Sequence, residues 1–315
     1  IRLSLVGSEM CIRDRASFDY RFENSLHSFE TDARWSEFDA IRWFGPGNDS
    51  PLVDDELSLV PLDRVEIEPA MIWRFGTWRS GSEDEEVEGI VVEDRTPPGL
   101  RTAVSLGPVF GLIDPEPRPG GPYALGDAET DAVYELGLRA GVEIRKVDRT
   151  NVPRRGFHVE ASARGYPGID DDTDAYGSGR ATVSGYLPLI GDTHLALRLG
   201  GIKAWGDFPA WHAATIGGRA SLRGFKFMRF AGDAAAFGNS EIRVPVTTVS
   251  LLTRGELGLL ALADAGRVWL DGESDGEWHS SFGGGAWFSG AGQTLSVYFA
   301  SGERDQLYLS FGMPF

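Results

Sequence analysis

The 315-residue chain has a single cysteine, Cys11, so an intrachain disulfide and a cysteine-based metal cluster are both excluded. Positive charge is also scarce: 30 Lys and Arg stand against 47 Asp and Glu, a formal net charge of -17. Nucleic-acid affinity comes largely from Lys and Arg neutralising phosphates, which removes nucleic acid as the main partner. No stretch approaches the roughly 18 consecutive apolar residues of a membrane-spanning helix, so a helical membrane protein is excluded. Catalytic signatures are missing as well. There is no H-E-x-x-H and no phosphate loop with its lysine, and the acidic stretch IDDDTDAYG at 169 to 177 lacks the downstream glutamate of a calcium loop. It reads as a solvated acidic loop, as does EDEEVE at 83 to 88. The expectation is a non-enzyme with no cofactor and no bound metal.

Glycine (41 residues) and aromatics (11%) are plentiful, and what recurs along the chain is alternation with a period of two. Residues 134 to 145, YELGLRAGVEIR, place Tyr134, Leu136, Leu138, Ala140, Val142 and Ile144 on one face of a strand. Glu135, Gly137, Arg139, Gly141, Glu143 and Arg145 fall on the other. The pattern returns at 16 to 23, 28 to 36, 155 to 164, 193 to 201, 239 to 247, 293 to 300 and 304 to 315. Less regular candidates lie at 63 to 76, 100 to 113, 179 to 190, 255 to 269 and 279 to 289. Strands near ten residues are longer than the about 5 to 6 typical of soluble sheets. Apolar outward and polar inward, they suit a transmembrane barrel, in which every backbone group must be paired within the bilayer. The predicted fold is all-β, a transmembrane antiparallel β-barrel of the outer-membrane type, with about thirteen strands of an expected sixteen or so and outer-membrane lipid around it. On that fold His27, His158, His194, His212 and His279 read as lumen or loop residues rather than ligands.

Short links at 24 to 27, 147 to 154, 190 to 192 and 248 to 254 alternate with long ones at 44 to 62, 114 to 131, 165 to 178, 206 to 238 and 270 to 278. Short turns are expected on the periplasmic side and long loops outside. The stretch from 77 to 99 is long where a short turn is due and breaks the alternation. Trp35, Trp43, Trp73, Trp78, Trp205, Trp211, Trp269, Trp278 and Trp287 lie mostly near strand ends, as an interfacial girdle requires. Residues 4 to 15, SLVGSEMCIRDR, have neither strand nor helix periodicity and no signal-peptide apolar run. They resemble a translated sequencing-adapter remnant, so 1 to 15 is expected to be non-native and 16 to 315 to be the barrel domain. Single-chain bacterial barrels have an even strand number, so an odd count predicts that N-terminal strands are missing.

One stretch, GGRASLRGFKFMRF at 217 to 230, gathers arginine, glycine and phenylalanine in this acidic chain. Alternation makes Glu241 inward-facing on one strand, and Glu256 and Asp264 on the next. Gly217, Gly218, Leu222, Arg223, Gly224 and Phe225 resemble the loop that folds back into the barrel in the BamA/TamA family of outer-membrane assembly and translocation barrels, the bacterial surface antigen domain. Gly238, Asn239, Glu241, Arg243 and Pro245 are similar to that family's GN-x-E-x-R-x-P strand entry, and Asp264 and Gly266 to its D-x-G strand. DRTNVPRRG at 148 to 156 and FGPGNDS at 44 to 50 resemble a turn and a loop of its members. The resemblance implies that Arg223 pairs with Glu241 or Asp264, because a partly desolvated guanidinium needs carboxylates for its planar donors.

At the C-terminal end Leu307, Leu309, Phe311, Met313 and Phe315 are expected to form one apolar face, which looks like the sorting signal read by the outer-membrane assembly machinery through β-augmentation. The family resemblance implies a role in inserting or translocating other proteins across the bacterial outer membrane, with a client or passenger protein as partner and periplasmic or passenger modules upstream. A passive pore or structural barrel is the alternative.

Overall fold

The structure, a computed structural model, describes residues 2–8, 11–23, 25–77, 99–126, 128–168, 174–250, 254–272, 276–313 and 315. The segment from 78 to 98, with Trp78 and the acidic tract at 83 to 88, lies outside the described residues, as does most of the acidic tract at 170 to 174. The stretch that breaks the loop alternation therefore falls there.

Alternating sequence becomes long strands. β1 (Arg2–Ser8), β2 (Cys11–Arg21), β3 (Ser28–Arg42), β4 (Leu59–Gly76), β5 (Arg101–Pro115), β6 (Val133–Val147), β7 (Gly156–Tyr166), β8 (Tyr176–Pro188) and β9 (His194–Trp205) follow one another, each antiparallel to the last. After a long loop come β12 (Ala234–Ser250), β13 (Arg254–Trp269), β14 (His279–Gly290), β15 (Gln293–Ser301) and β16 (Asp305–Phe311). Together these make one 14-stranded antiparallel sheet in strict chain order, with β12 paired to β9. Two short strands inside the long loop, β10 (Ala214–Ile216) and β11 (Phe230–Gly232), form a separate two-stranded ladder, and Ala231 also bridges to Gly47. The all-β antiparallel barrel fold is as the alternation predicts. No helix among the described residues is long and apolar enough to cross a membrane; α1 (Pro122–Leu125) is a single turn.

Each of the thirteen expected stretches coincides with a strand, and β1 adds a fourteenth. Residues 4 to 8 and 11 to 15, which lack side-chain alternation, are extended in β1 and the start of β2, with Leu5 opposite Ala16 and Val6 opposite Arg15. A two-strand ladder is closed by backbone groups alone, so it needs no apolar pattern. Among the described residues the sheet therefore has fourteen strands.

The two faces have opposite chemistry. Leu136, Leu138, Leu199, Ile242, Val246, Leu259, Phe282 and Leu307 are among the apolar side chains that point outward and are exposed, the lipid-facing band of such a sheet. Their neighbours point inward: Glu66 and Glu68 of β4 meet Arg139 of β6 and Arg164 of β7, with Arg164 Nη1 2.9 Å from Glu66 and Arg139 Nη1 2.5 Å from Glu68. β4 and β7 are three strands apart in the sheet, so this contact spans its concave side. Pro245 cannot donate to a ladder, and the β12–β13 register shifts between Pro245 and Thr247. The tryptophan girdle is partial: Trp35, Trp205, Trp269 and Trp278 are exposed, whereas Trp43 and Trp287 are buried. Trp211 is on the interior loop, where its indole N–H finds a carboxylate.

Candidate functional site: an interior loop anchored to the wall

The loop between β9 and β12 does not extend away from the sheet but folds into it. Its β10–β11 ladder sets Ile216 opposite Phe230, and Ile216, Leu222, Phe225 and Phe230 pack with Ala235, Phe237 and Val268 of the wall. Glycine makes the turn possible. Gly217 has φ 128° and Gly224 φ 80°, both in the left-handed region. A Cβ on Gly217 would lie 2.2 Å from the Lys226 carbonyl oxygen, and one on Gly224 would lie 2.8 Å from the Gly302 nitrogen. Gly218 is a third positive-φ glycine, and its N–H donates to the Phe225 carbonyl.

This turn delivers Arg223, only 1% exposed, to the inner face of β12 and β13. Glu241 of β12 and Asp264 of β13 both point inward there, as alternation requires. Arg223 Nε donates to Asp264 Oδ2 at 2.7 Å and Nη2 to Oδ1 at 2.6 Å, while the Arg223 backbone N–H adds 3.1 Å to Oδ2. Nη1 donates to Glu241 Oε1. The sequence left Glu241 and Asp264 as alternatives; the structure brings both together on one guanidinium. Glu241's second oxygen takes Arg243 Nε at 2.9 Å, so the two buried carboxylates are matched by two buried arginines.

Several partners were not anticipated. Asn239 Oδ1 accepts from Arg198 Nε at 2.9 Å, and its Nδ2 donates to the Ser221 carbonyl at 2.8 Å, clamping the loop before Leu222. On β16 the inward residues take the far side of the loop: the Gly224 N–H donates to Tyr308 Oη at 3.0 Å, and Arg219 Nη1 to Ser310 Oγ at 2.9 Å. At the loop's start Glu135 of β6 accepts from Trp211 Nε1 at 2.9 Å and Tyr176 Oη at 3.2 Å, and His212 Nε2 lies 2.8 Å away. Alternation marks Glu135, Tyr308 and Ser310 as inward, but which loop residue each meets is not a property of its own strand. Over the loop, residues 43 to 58 form a cap: Arg229 donates to Ser50, and Lys226 pairs with Asp55. The Lys226 hydrogen bond holds the Asp55 carboxyl below its ordinary range.

The C-terminal stretch departs from the expected face. Leu307, Leu309 and Phe311 are strongly exposed on the outer surface. Met313 and Phe315 turn inward, because Gly312 at φ 101° ends the strand. Met313 packs against the lumen cluster containing Leu260, Leu262 and Trp287, and Phe315 against Val147, Tyr186 and Ala196. Arg243 Nη2 donates to the Phe315 main-chain oxygen at 2.7 Å, and the Arg198 guanidinium sits 4.8 Å from its ring centre.

An Omp85 superfamily domain matches residues 122–315, which contain the loop, both carboxylates and β16. The chain belongs to the Omp85 superfamily. Its place is therefore the bacterial outer membrane, in a superfamily of non-enzymatic assembly and translocation barrels. Among solved structures, BamA from Haemophilus ducreyi lacking POTRA domains 1–3 has the same fold, with a TM-score of 0.59 at 15% identity. The alignment covers 96% of this chain and 61% of that one, so the chain spans about three fifths of that structure's length. No curated protein matches the chain.

Proposed function

We propose that this Omp85 barrel inserts or translocates other proteins across the bacterial outer membrane, with outer-membrane lipid, a client or passenger polypeptide and the outer-membrane assembly machinery as its partners. The observation that carries the reading is the loop's double attachment: Arg223 is locked to β12 and β13, and the next residue, Gly224, touches Tyr308 of the edge strand β16. β16 lies at one end of the sheet and β1 at the other, and no ladder links them among the described residues. An edge with unpaired N–H and C=O groups is a template for an incoming strand. In this reading the buried latch of Gly217, Gly218, Leu222, Arg223, Gly224 and Phe225 on Glu241 and Asp264 keeps β12 and β13, on the β16 side of the sheet, rigid while the seam opens. The outer face of Leu307, Leu309 and Phe311 serves as the sorting surface during the barrel's own assembly.

The test places the protein in liposomes and follows folding of a model outer-membrane protein by its gel-mobility shift. Acceleration that is lost in Arg223→Ala but kept in Arg219→Ala is expected. No acceleration together with steady ion conductance would favour a passive pore.

A further inference from the structure

The lumen wall carries a second cluster, far from the latch in the strand order. β6 and β7 pair so that Glu143 lies directly opposite Glu160, and Arg145 directly opposite His158. Like charges directly opposite one another on one sheet face repel. Here His158 stands between them, with Nε2 3.1 Å from Glu143 Oε1 and 3.3 Å from Glu160 Oε1. One ligand atom from each of the three residues lies within 4.8 Å of the others. A cavity of about 460 Å³ opens beside them, lined by both glutamates, Glu30, Ser105, Arg74 and Arg180.

We propose that Glu143, His158 and Glu160 form a binding site for a divalent transition cation of the zinc class. The donor set is right: one imidazole nitrogen and two carboxylates suit zinc better than calcium or magnesium, which take oxygen alone. The spacing is right as well. Two donors about 2.1 Å from a tetrahedral ion sit about 3.4 Å from each other, close to the separations His158 already makes. The cation relieves the opposed carboxylates, and the cavity supplies room for a remaining ligand. Of the neighbouring arginines, Arg74 is 2.5 Å from Glu30 and Arg145 donates to the Thr150 carbonyl. The site escaped the sequence because its residues are scattered along the chain at 143, 158 and 160 and meet only through the β6–β7 register.

The test uses the full chain refolded in detergent micelles, its folded state checked by heat-modifiable gel mobility, and titrated with Zn²⁺ in competition with a chromophoric chelator. One Zn²⁺ per chain is expected, weakened at least about tenfold by His158→Gln and by Glu143→Gln and unchanged by His279→Gln. Should either variant fail to fold, Glu160→Gln, whose side chain is the most exposed of the three, gives the same readout. The proposal is overturned if the folded wild-type chain shows no saturable Zn²⁺ binding, if these variants bind as the wild type does, or if Ca²⁺ binds as tightly. Any of these results makes the cluster a histidine bridging two glutamates and nothing more.

Discussion

At the residue scale Arg223 and Arg219 are four positions apart in the same glycine-rich stretch and do different work. Arg223 is buried and gives donors to two carboxylates, whereas Arg219 is exposed and reaches Ser310 with one hydrogen bond. Removing one member of a buried ion pair strands the other charge in a poorly solvated place, at about 3–5 kcal/mol. Arg223→Ala should lower stability in urea by that order, while Arg219→Ala costs about 1 kcal/mol or less. The Arg223→Ala, Asp264→Ala double variant should lose much less than the sum of its singles, because each single removes the same contact. Strict additivity in the urea midpoints would show that the two groups do not act as a pair. Arg223's need for a carboxylate followed from the family resemblance, which implies a loop drawn into a barrel; that it would take both did not, because the loop's depth decides how many carboxylates it reaches.

At the element scale β16 shows what alternation predicts and where it stops. Leu307, Leu309 and Phe311 face out, and Tyr308 and Ser310 face in, as a period of two requires. Continuing the same period to Met313 and Phe315 fails, since alternation holds only while the backbone stays extended, and Gly312 leaves that conformation. The inward side of β16 holds the loop. Tyr308→Phe removes the hydroxyl that accepts the Gly224 N–H and leaves a buried donor unsatisfied, a cost of about 1–3 kcal/mol. Amide hydrogen exchange at Gly224 and Phe225 should speed up in this variant while exchange in the β12–β13 ladder stays slow. Equal acceleration in both would mean that the wall, not the loop's contact with the edge strand, had loosened.

At the scale of the whole molecule the loop crosses the concave side of the sheet, from Glu135 on β6 at its start to Asp264 on β13 and Tyr308 on β16. A lumen crossed in this way should conduct poorly. Single-channel recordings in planar bilayers are expected to show low, flickering conductance for the wild-type chain and a larger, steadier one when Arg223→Ala is combined with Glu135→Gln, which frees both ends of the loop. Large steady conductance in the wild type would contradict the occluded lumen and support a pore.

The amino-acid sequence by itself determined the class of fold, because period-two alternation over long segments is a local property that each strand expresses alone. It determined the inward direction of Glu241 and Asp264 for the same reason, and the glycines of the loop because positive φ belongs to the residue that adopts it. Only the tertiary structure decided which groups meet. The pairing of Glu135 with Trp211, of Arg198 with Asn239, and of Glu143 and Glu160 with His158 depends on strand register and on how deep the loop sits, both set by packing among segments far apart in the chain. It also drew residues 4 to 8 and 11 to 15 into the ladder, since a backbone edge pairs with any extended chain whatever its side chains.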